Sequence, residues 1–264
     1  MRGKLSQIGA KGKTRFRKGC GMGGTNPPPG RRLQSVAGAV KSGAMALVKR
    51  PPPALPFGPQ VAIFSRLAEA NPAPETELQF VNPFTLVVAV ALSAQATDVG
   101  VNRATRDLFA LADTPAKMLE LGVEGVTEHI RTIGLYRQKA KNVIALSRLL
   151  VEDYGGVVPD SRAALMRLPG VGRKTANVVL SCAFGHPAQA VDTHIFRVGN
   201  RTRIAPGRDV DEVERAIEDN VPARFQTHAH HWLILHGRYI CQARKPRCGV
   251  CPIHDLCPFE EKTA

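Results

Sequence analysis

Four cysteines, Cys241, Cys248, Cys251 and Cys257, stand together near the end of the chain in a C-x6-C-x2-C-x5-C array. Core filling does not gather thiols this densely, and no secretory signal favours disulfides. Metal ligation is the chemistry such a set performs. Structural zinc sites usually pair two short C-x2-C knuckles. Here a single C-x2-C lies between longer loops, a spacing better suited to wrapping a cube of iron and sulfide held by four thiolates. Between the first two cysteines, "QARKPR" carries Arg244, Lys245 and Arg247. A loop pinned by a cluster presents its cations in fixed geometry, which suits a phosphate backbone. A solvated basic loop is the plainer alternative. Cys182, inside an apolar run, reads as core, and Cys20 has no visible partner.

A second group of residues is "LPGVGRKTANVV", Leu168 to Val179. Gly170, Val171 and Gly172 form a tight hairpin between two helices, and glycine lets backbone amides approach another molecule closely. Arg173 and Lys174 then occupy the start of the second helix, where the macrodipole disfavours positive charge by a few tenths to about 1 kcal/mol. Free amides at a helix start form an anion site. A phosphate bound there would offset both cations and make them phosphate-facing or reactive. An ordinary glycine-rich turn with exposed basic residues is the competing reading, because G-x-G alone is a weak pattern.

In "AVDTHIFRV", Asp192 precedes a helix, so it serves as an N-cap, and the same amides would hold it ionised to handle protons or positive charge. "LSAQATD" ends an apolar helix abruptly in polar residues, which places Gln95 at the mouth of a cleft or, alternatively, bonded to local backbone at the helix end. The histidines at 228, 230, 231 and 236 pair with no acid or metal in the pattern and read as structural.

The elements that position these residues are helices. Asn82 and Pro83 open "NPFTLVVAVALSAQ", which is apolar nearly all round and so belongs at the centre of a bundle. Thr114 and Pro115 open a helix expected to close at Gly122, and "YRQKAKNVIALSRLLVEDYGG" runs to Gly155. Further helices are expected from Asp160 and at "DTHIFRVGNRT", "DVDEVERAIEDN" and "THAHHWLILHGRYIC". Few stretches alternate with period two, so the class is all-α. The longest strong apolar run, Phe84 to Ala94, is far short of the roughly 20 residues of a membrane span, and no membrane association is expected.

The 264 residues carry a net charge of +14, from 36 Lys and Arg against 22 Asp and Glu. Residues 1–50 hold 12 of the basic residues and no acid, so the body is nearly balanced, and any nucleic-acid role there rests on local clusters. Gly, Pro and basic residues without periodicity mark residues 1–54 as a disordered basic tail. A DNA-tethering arm, an organellar transit peptide and an unstructured extension, with Met45 as an alternative start, are its open readings.

Taken together, "LPGVGRKTANVV", "AVDTHIFRV", "LSAQATD", "HHWLILHGR" and the cysteine array resemble the endonuclease III family of helix-hairpin-helix DNA glycosylases with AP lyase activity, over roughly residues 61–260. The resemblance implies an N-terminal helix segment over 55–74 packing on a cluster domain of residues 187–264, a six-helix domain over 75–186, and a DNA-binding cleft between the domains. It implies a [4Fe-4S] cluster on the four cysteines, Lys174 as nucleophile and Asp192 as its carboxylate partner. The helix dipole, Arg173 and partial burial would each lower the lysine from its ordinary pKa of about 10.4. It also implies that Gln95 and Leu135 fill the space left by a flipped base and that His194 lies near the lesion. The expected substrate is double-stranded DNA with oxidised pyrimidines or abasic sites, acted on by a monomer in a bacterial cytoplasm at the nucleoid. An adenine-mismatch or pyrimidine-dimer glycosylase on the same scaffold, and a non-catalytic DNA-binding module, are the alternatives.

Overall fold

The computed structural model describes residues 50–263. Cys20, Met45 and the expected basic tail as far as residue 49 lie outside the described residues. The described chain is built from ten α-helices: α1 (Phe57–Ala70), α2 (Pro83–Ser93), α3 (Asp98–Leu111), α4 (Pro115–Ile130), α5 (Tyr136–Tyr154), α6 (Arg162–Leu165), α7 (Arg173–Phe184), α8 (Thr193–Thr202), α9 (Val210–Asn220) and α10 (Gln226–Tyr239). Among the described residues there is no β-strand, so the all-α class holds.

Local chemistry sets the helix ends. Asn82 accepts the Thr85 amide at 2.9 Å and gives its own amide to the Thr85 hydroxyl at 3.0 Å, a reciprocal cap that starts α2 behind Pro83. Thr114 caps α4 and left-handed Gly155 ends α5, both as the sequence predicts. One boundary differs: Ser161, not Asp160, caps α6, because its hydroxyl takes the Ala164 amide. Gly122 (φ 66°) ends the first stretch of α4 as the sequence predicts, and a second helical stretch follows at once across the kink. Helix α3, capped by Thr97 with Asp98 in its first turn, was not among the helices read from the sequence.

Two apolar cores result. In the first, α2 lies at the centre, with Leu86, Val87, Val88, Ala89 and Leu92 wholly buried against α3, α5 and α7. Each such leucine or valine contributes about 1.5–3 kcal/mol on burial. The second core joins α1 to α8, α9 and α10 around Phe64, Phe225 and Trp232, whose ring centroids lie 5.6–6.2 Å apart. The Trp232 indole donates to the Asn71 carbonyl at 2.8 Å, which fixes the end of α1. Helices α8 and α10 cross so closely that a Cβ at Gly237 would stand 2.9 Å from the His194 Cβ. No described helix is long and apolar enough to cross a membrane.

Candidate active site and cluster segment

The hairpin between α6 and α7 has the conformation its glycines permit. Gly170 is left-handed (φ 83°), and a side chain there would also press on Asn142, 3.1 Å from the would-be Cβ. Val171 is buried and anchors the turn, with its amide on the Leu168 carbonyl at 3.0 Å. Gly172 is the N-cap of α7 and offers no side-chain cap, so the first-turn amides are left for another partner. A carboxylate, phosphate or other anion is what such a helix start accepts.

The two cations that follow have different surroundings. Arg173 is not a free phosphate-facing group: its Nε and terminal nitrogen grip both oxygens of Glu214 on α9 at 3.1 and 2.8 Å, and this carboxylate holds the guanidinium above its ordinary pKa. This corrects the expectation from sequence, which had no means of seeing a partner 41 residues away. Lys174 is exposed, not partly buried. It lines a cavity of about 200 Å³ together with Gln95, Asp98, His230, His231 and Arg238. That volume is small for a ligand pocket and of the order of one planar heterocycle.

The cavity walls come from α2, the start of α3, α7 and α10 and from the segments on either side of α2, so it spans both cores. Arg238 of α10 bonds Asp98 at 2.6 Å and also Glu77, which in addition accepts the Tyr239 hydroxyl. Burial alone would raise the Glu77 carboxyl, but Tyr239 and Arg238 outweigh it and hold it below its ordinary value. His230 is fully enclosed, and burial, then His231, Lys174 and Arg238, push it down to about 3. Its Nδ1 accepts the Ala190 amide at 3.4 Å, leaving the proton of the neutral ring on Nε2. Burial also pushes the Cys182 thiol up to about 11, so this residue, 3.4 Å from His231 Nε2, is an unreactive wall. Asp98, His230, His231 and Arg238 are members of this site that the sequence reading passed over, although "LSAQATD" and "HHWLILHGR" contain them.

Asp192 caps α8 with one oxygen only. Its Oδ1 accepts the amides of His194 and Ile195, each at 2.8 Å, and among the described residues Oδ2 has no partner. Asp192 is half-buried and is not one of the residues lining the 200 Å³ cavity. His194 likewise stands outside it, with Nδ1 3.2 Å from Arg197. Gln95 and Leu135 are both exposed, and both adopt left-handed backbone (φ 56° and 58°), which non-glycine residues rarely do. Their loops adjoin, since a Cβ at Gly134 would lie 4.0 Å from the Gln95 carbonyl oxygen. The structure thus brings the two loops together at a backbone cost of order 1–3 kcal/mol for each left-handed residue.

All four array cysteines line one further cavity, beside His236, Pro246 and Phe259. Among the described residues no group of three Cys, His, Asp or Glu is arranged to hold a single metal ion. Four thiols lining one cavity form the donor set that an iron-sulfur cluster requires. Burial raises Cys251 and Cys257, and the neighbouring thiolates raise them further, so a positive core is what would keep the set ionised. The loop beyond Cys241 is held by Arg201, which donates to the carbonyls of Gln242 and Ala243 at 2.7 and 2.8 Å. Arg244, Lys245 and Arg247 remain exposed on it, and among the described residues none forms an ion pair.

Comparison with known proteins sets the class. Residues 88–223 match the family described as HhH-GPD superfamily base excision DNA repair protein, and residues 241–257 match the iron-sulfur binding domain of endonuclease III. Endonuclease III of Escherichia coli strain K12 is 62% identical over 203 residues, covering 77% of this chain and 96% of that protein. The Haemophilus influenzae endonuclease III is 58% identical over the same shares. A solved trapped endonuclease III–DNA covalent intermediate superposes with a TM-score of 0.71 at 44% identity, covering 77% of this chain and 96% of that one. A thermostable thymine-DNA glycosylase superposes at 0.69 with 26% identity, covering 78% and 98%. The chain belongs to the endonuclease III family. It carries a [4Fe-4S] cluster.

Proposed function

We infer that this protein is a base-excision DNA glycosylase and AP lyase that removes oxidised pyrimidines from double-stranded DNA and cuts the strand 3′ to the abasic site. The observation that carries the reading is the position of Lys174, an amine directly after the hairpin, at the uncapped start of α7, on the wall of a base-sized cavity. The relative solved as a trapped covalent intermediate with DNA supports a covalent step.

In the proposed reaction the amides of Gly170 and Gly172 and the cations Arg244, Lys245 and Arg247 hold phosphates on either side of the lesion, while Val171, its amide on the Leu168 carbonyl, keeps the turn in shape. Gln95 and Leu135 occupy the gap as the damaged base leaves the stack. The Lys174 amine, once it has given up its proton, attacks the sugar C1′; the N–C1′ bond forms as the glycosidic bond breaks, and the base departs with a proton. The ring oxygen then takes a proton as the C1′–O bond opens, giving the Schiff base. Loss of a C2′ proton expels the 3′ phosphate by β-elimination, and water releases the enzyme. Asp192 Oδ2, free of the cap, steadies the cationic sugar or moves a proton. His194 lies two residues along from it and donates its amide to the Asp192 cap. Arg173 takes no phosphate contact in this scheme, because Glu214 already holds it. The cluster, bound by Cys241, Cys248, Cys251 and Cys257, supplies a rigid support for the basic loop. The bacterial relatives support a protein acting in the cytoplasm at the nucleoid, and the fact that all the named site residues come from one chain supports a monomer.

Excision from duplexes carrying thymine glycol, adenine opposite 8-oxoguanine, or a pyrimidine dimer tests the reading. Release and strand cutting at thymine glycol alone support it. Preference for either other substrate would move the protein to the corresponding glycosylase class, and binding without release would make it a DNA-binding module.

A further inference from the structure

Glu214 is a buried carboxylate, its side chain 5% exposed, on a helix that contributes nothing to the base-sized cavity. A buried charge persists only when paired and fully hydrogen-bonded, and its partners here are informative. Arg173, the first residue of α7, grips it in a two-point fork. Asn177, one turn further along α7 and wholly buried, donates to it at 3.1 Å. Arg162 of α6 approaches at 3.8 Å and donates to the Asn177 side-chain oxygen at 2.7 Å. Asn177 also donates to the Gln189 carbonyl at 2.7 Å, in the segment that leads to Asp192. One carboxylate of the second core therefore collects both arms of the hairpin and, through Asn177, the approach to Asp192.

We propose that Glu214 is a positioning residue for the lyase reaction, fixing the first turn of α7, and with it Lys174, against α9. The inference rests on Lys174 being the nucleophile. A buried ion pair adds little to stability over an apolar pair of the same shape, whereas a forked guanidinium adds geometric definition. Arg173 is bonded to the next residue along the chain, so this fork limits how far the Lys174 backbone moves. Displacing a reacting group by about 1 Å costs on the order of 100-fold in rate. The same pair keeps Arg173 from competing for the phosphate at the hairpin amides.

The test compares adduct formation with DNA affinity in the cluster-loaded protein. Borohydride-trapped complex is timed at saturating enzyme on abasic DNA, and Kd is measured on a duplex with a tetrahydrofuran site. Glu214→Gln is expected to slow adduct formation about tenfold or more without weakening Kd. The pair Glu214→Gln with Arg173→Gln, which allows a neutral hydrogen bond between the two amides and leaves no unpaired guanidinium on α7, is expected to recover most of that rate. An unchanged adduct rate in Glu214→Gln, or a rate that falls only as Kd weakens, overturns the proposal. If Glu214→Gln does not fold, Arg173→Lys, which cannot fork, takes its place: slow adduct formation at unchanged Kd supports the brace, and a wild-type rate overturns it. A Lys174→Gln control that still traps DNA would instead overturn the nucleophile on which the inference rests.

Discussion

Two substitutions separate the observed capping by Asp192 from the catalytic duty proposed for it. Its Oδ1 takes two amides at 2.8 Å, and Oδ2 has no partner among the described residues. Asp192→Ala removes both oxygens, and loss of such a cap costs about 1–2 kcal/mol. For a domain of this size each kcal/mol moves Tm by about 2–4 °C, so a fall of roughly 2–8 °C is expected. Asp192→Asn keeps the amide-accepting oxygen and loses only the carboxylate's attraction to the helix start, about 0.3–1 kcal/mol, or roughly 1–4 °C. Both variants lose the free anionic oxygen, and removing a proton-handling group costs about 100-fold or more in turnover. Thermal melting, with single-turnover excision measured on the folded protein, reads the two effects apart. The expected pattern is two inactive proteins of which only the alanine variant is clearly destabilised. An asparagine variant that melts as early as the alanine one, with turnover per folded molecule unchanged, would reduce Asp192 to a structural cap.

Replacing Arg244, Lys245 and Arg247 by glutamine should flatten the dependence of log K on log salt by about 0.9 per lost phosphate contact; an unchanged slope in a binding titration would place the contacts elsewhere. His230, lowered to about 3 from an ordinary 6.5, binds a proton more readily in the unfolded chain, so its contribution to stability is full above pH 6.5 and declines as pH falls toward 3. By pH 5 that loss is about 2 kcal/mol, and His230→Gln should show a correspondingly shallower fall of Tm between pH 6.5 and 5; an identical fall would contradict its burial as a neutral ring. Metal analysis should return about four irons per chain with broad absorbance near 400 nm, and one zinc without iron would contradict the cluster.

Local signals carried the reading of the fold where the deciding partner is close in sequence. Asn82 with Thr85, Thr114 with Pro115, and Gly155 all act within a turn of their own helix, and each is visible as a short pattern. Gly122 shows the limit, because its left-handed backbone stops one helical stretch but nothing in the pattern says that another begins immediately. The site followed the same division. Lys174, the hairpin and the cysteines are contiguous motifs, whereas Glu214 reaches Arg173 across 41 residues and Arg238 reaches Asp98 across 140. Such pairs are set by how helices pack, so Arg173 read as a phosphate contact until its carboxylate was seen. The histidines of α10 read as structural for a similar reason: only the placement of α10 across the cavity from α7 brings His230 and His231 to the walls that also hold Lys174.

The central claim is that Lys174 is the amine that attacks DNA, and borohydride trapping on abasic duplex measures it directly. Wild-type protein should give a covalent complex that survives denaturation. Lys174→Gln keeps a side chain of similar reach without an amine, so it should give no complex and no strand cutting while its iron content, Tm and affinity for a tetrahydrofuran site stay at wild-type values. A Lys174→Gln protein that still yields the trapped complex would identify another amine as the nucleophile and contradict the account.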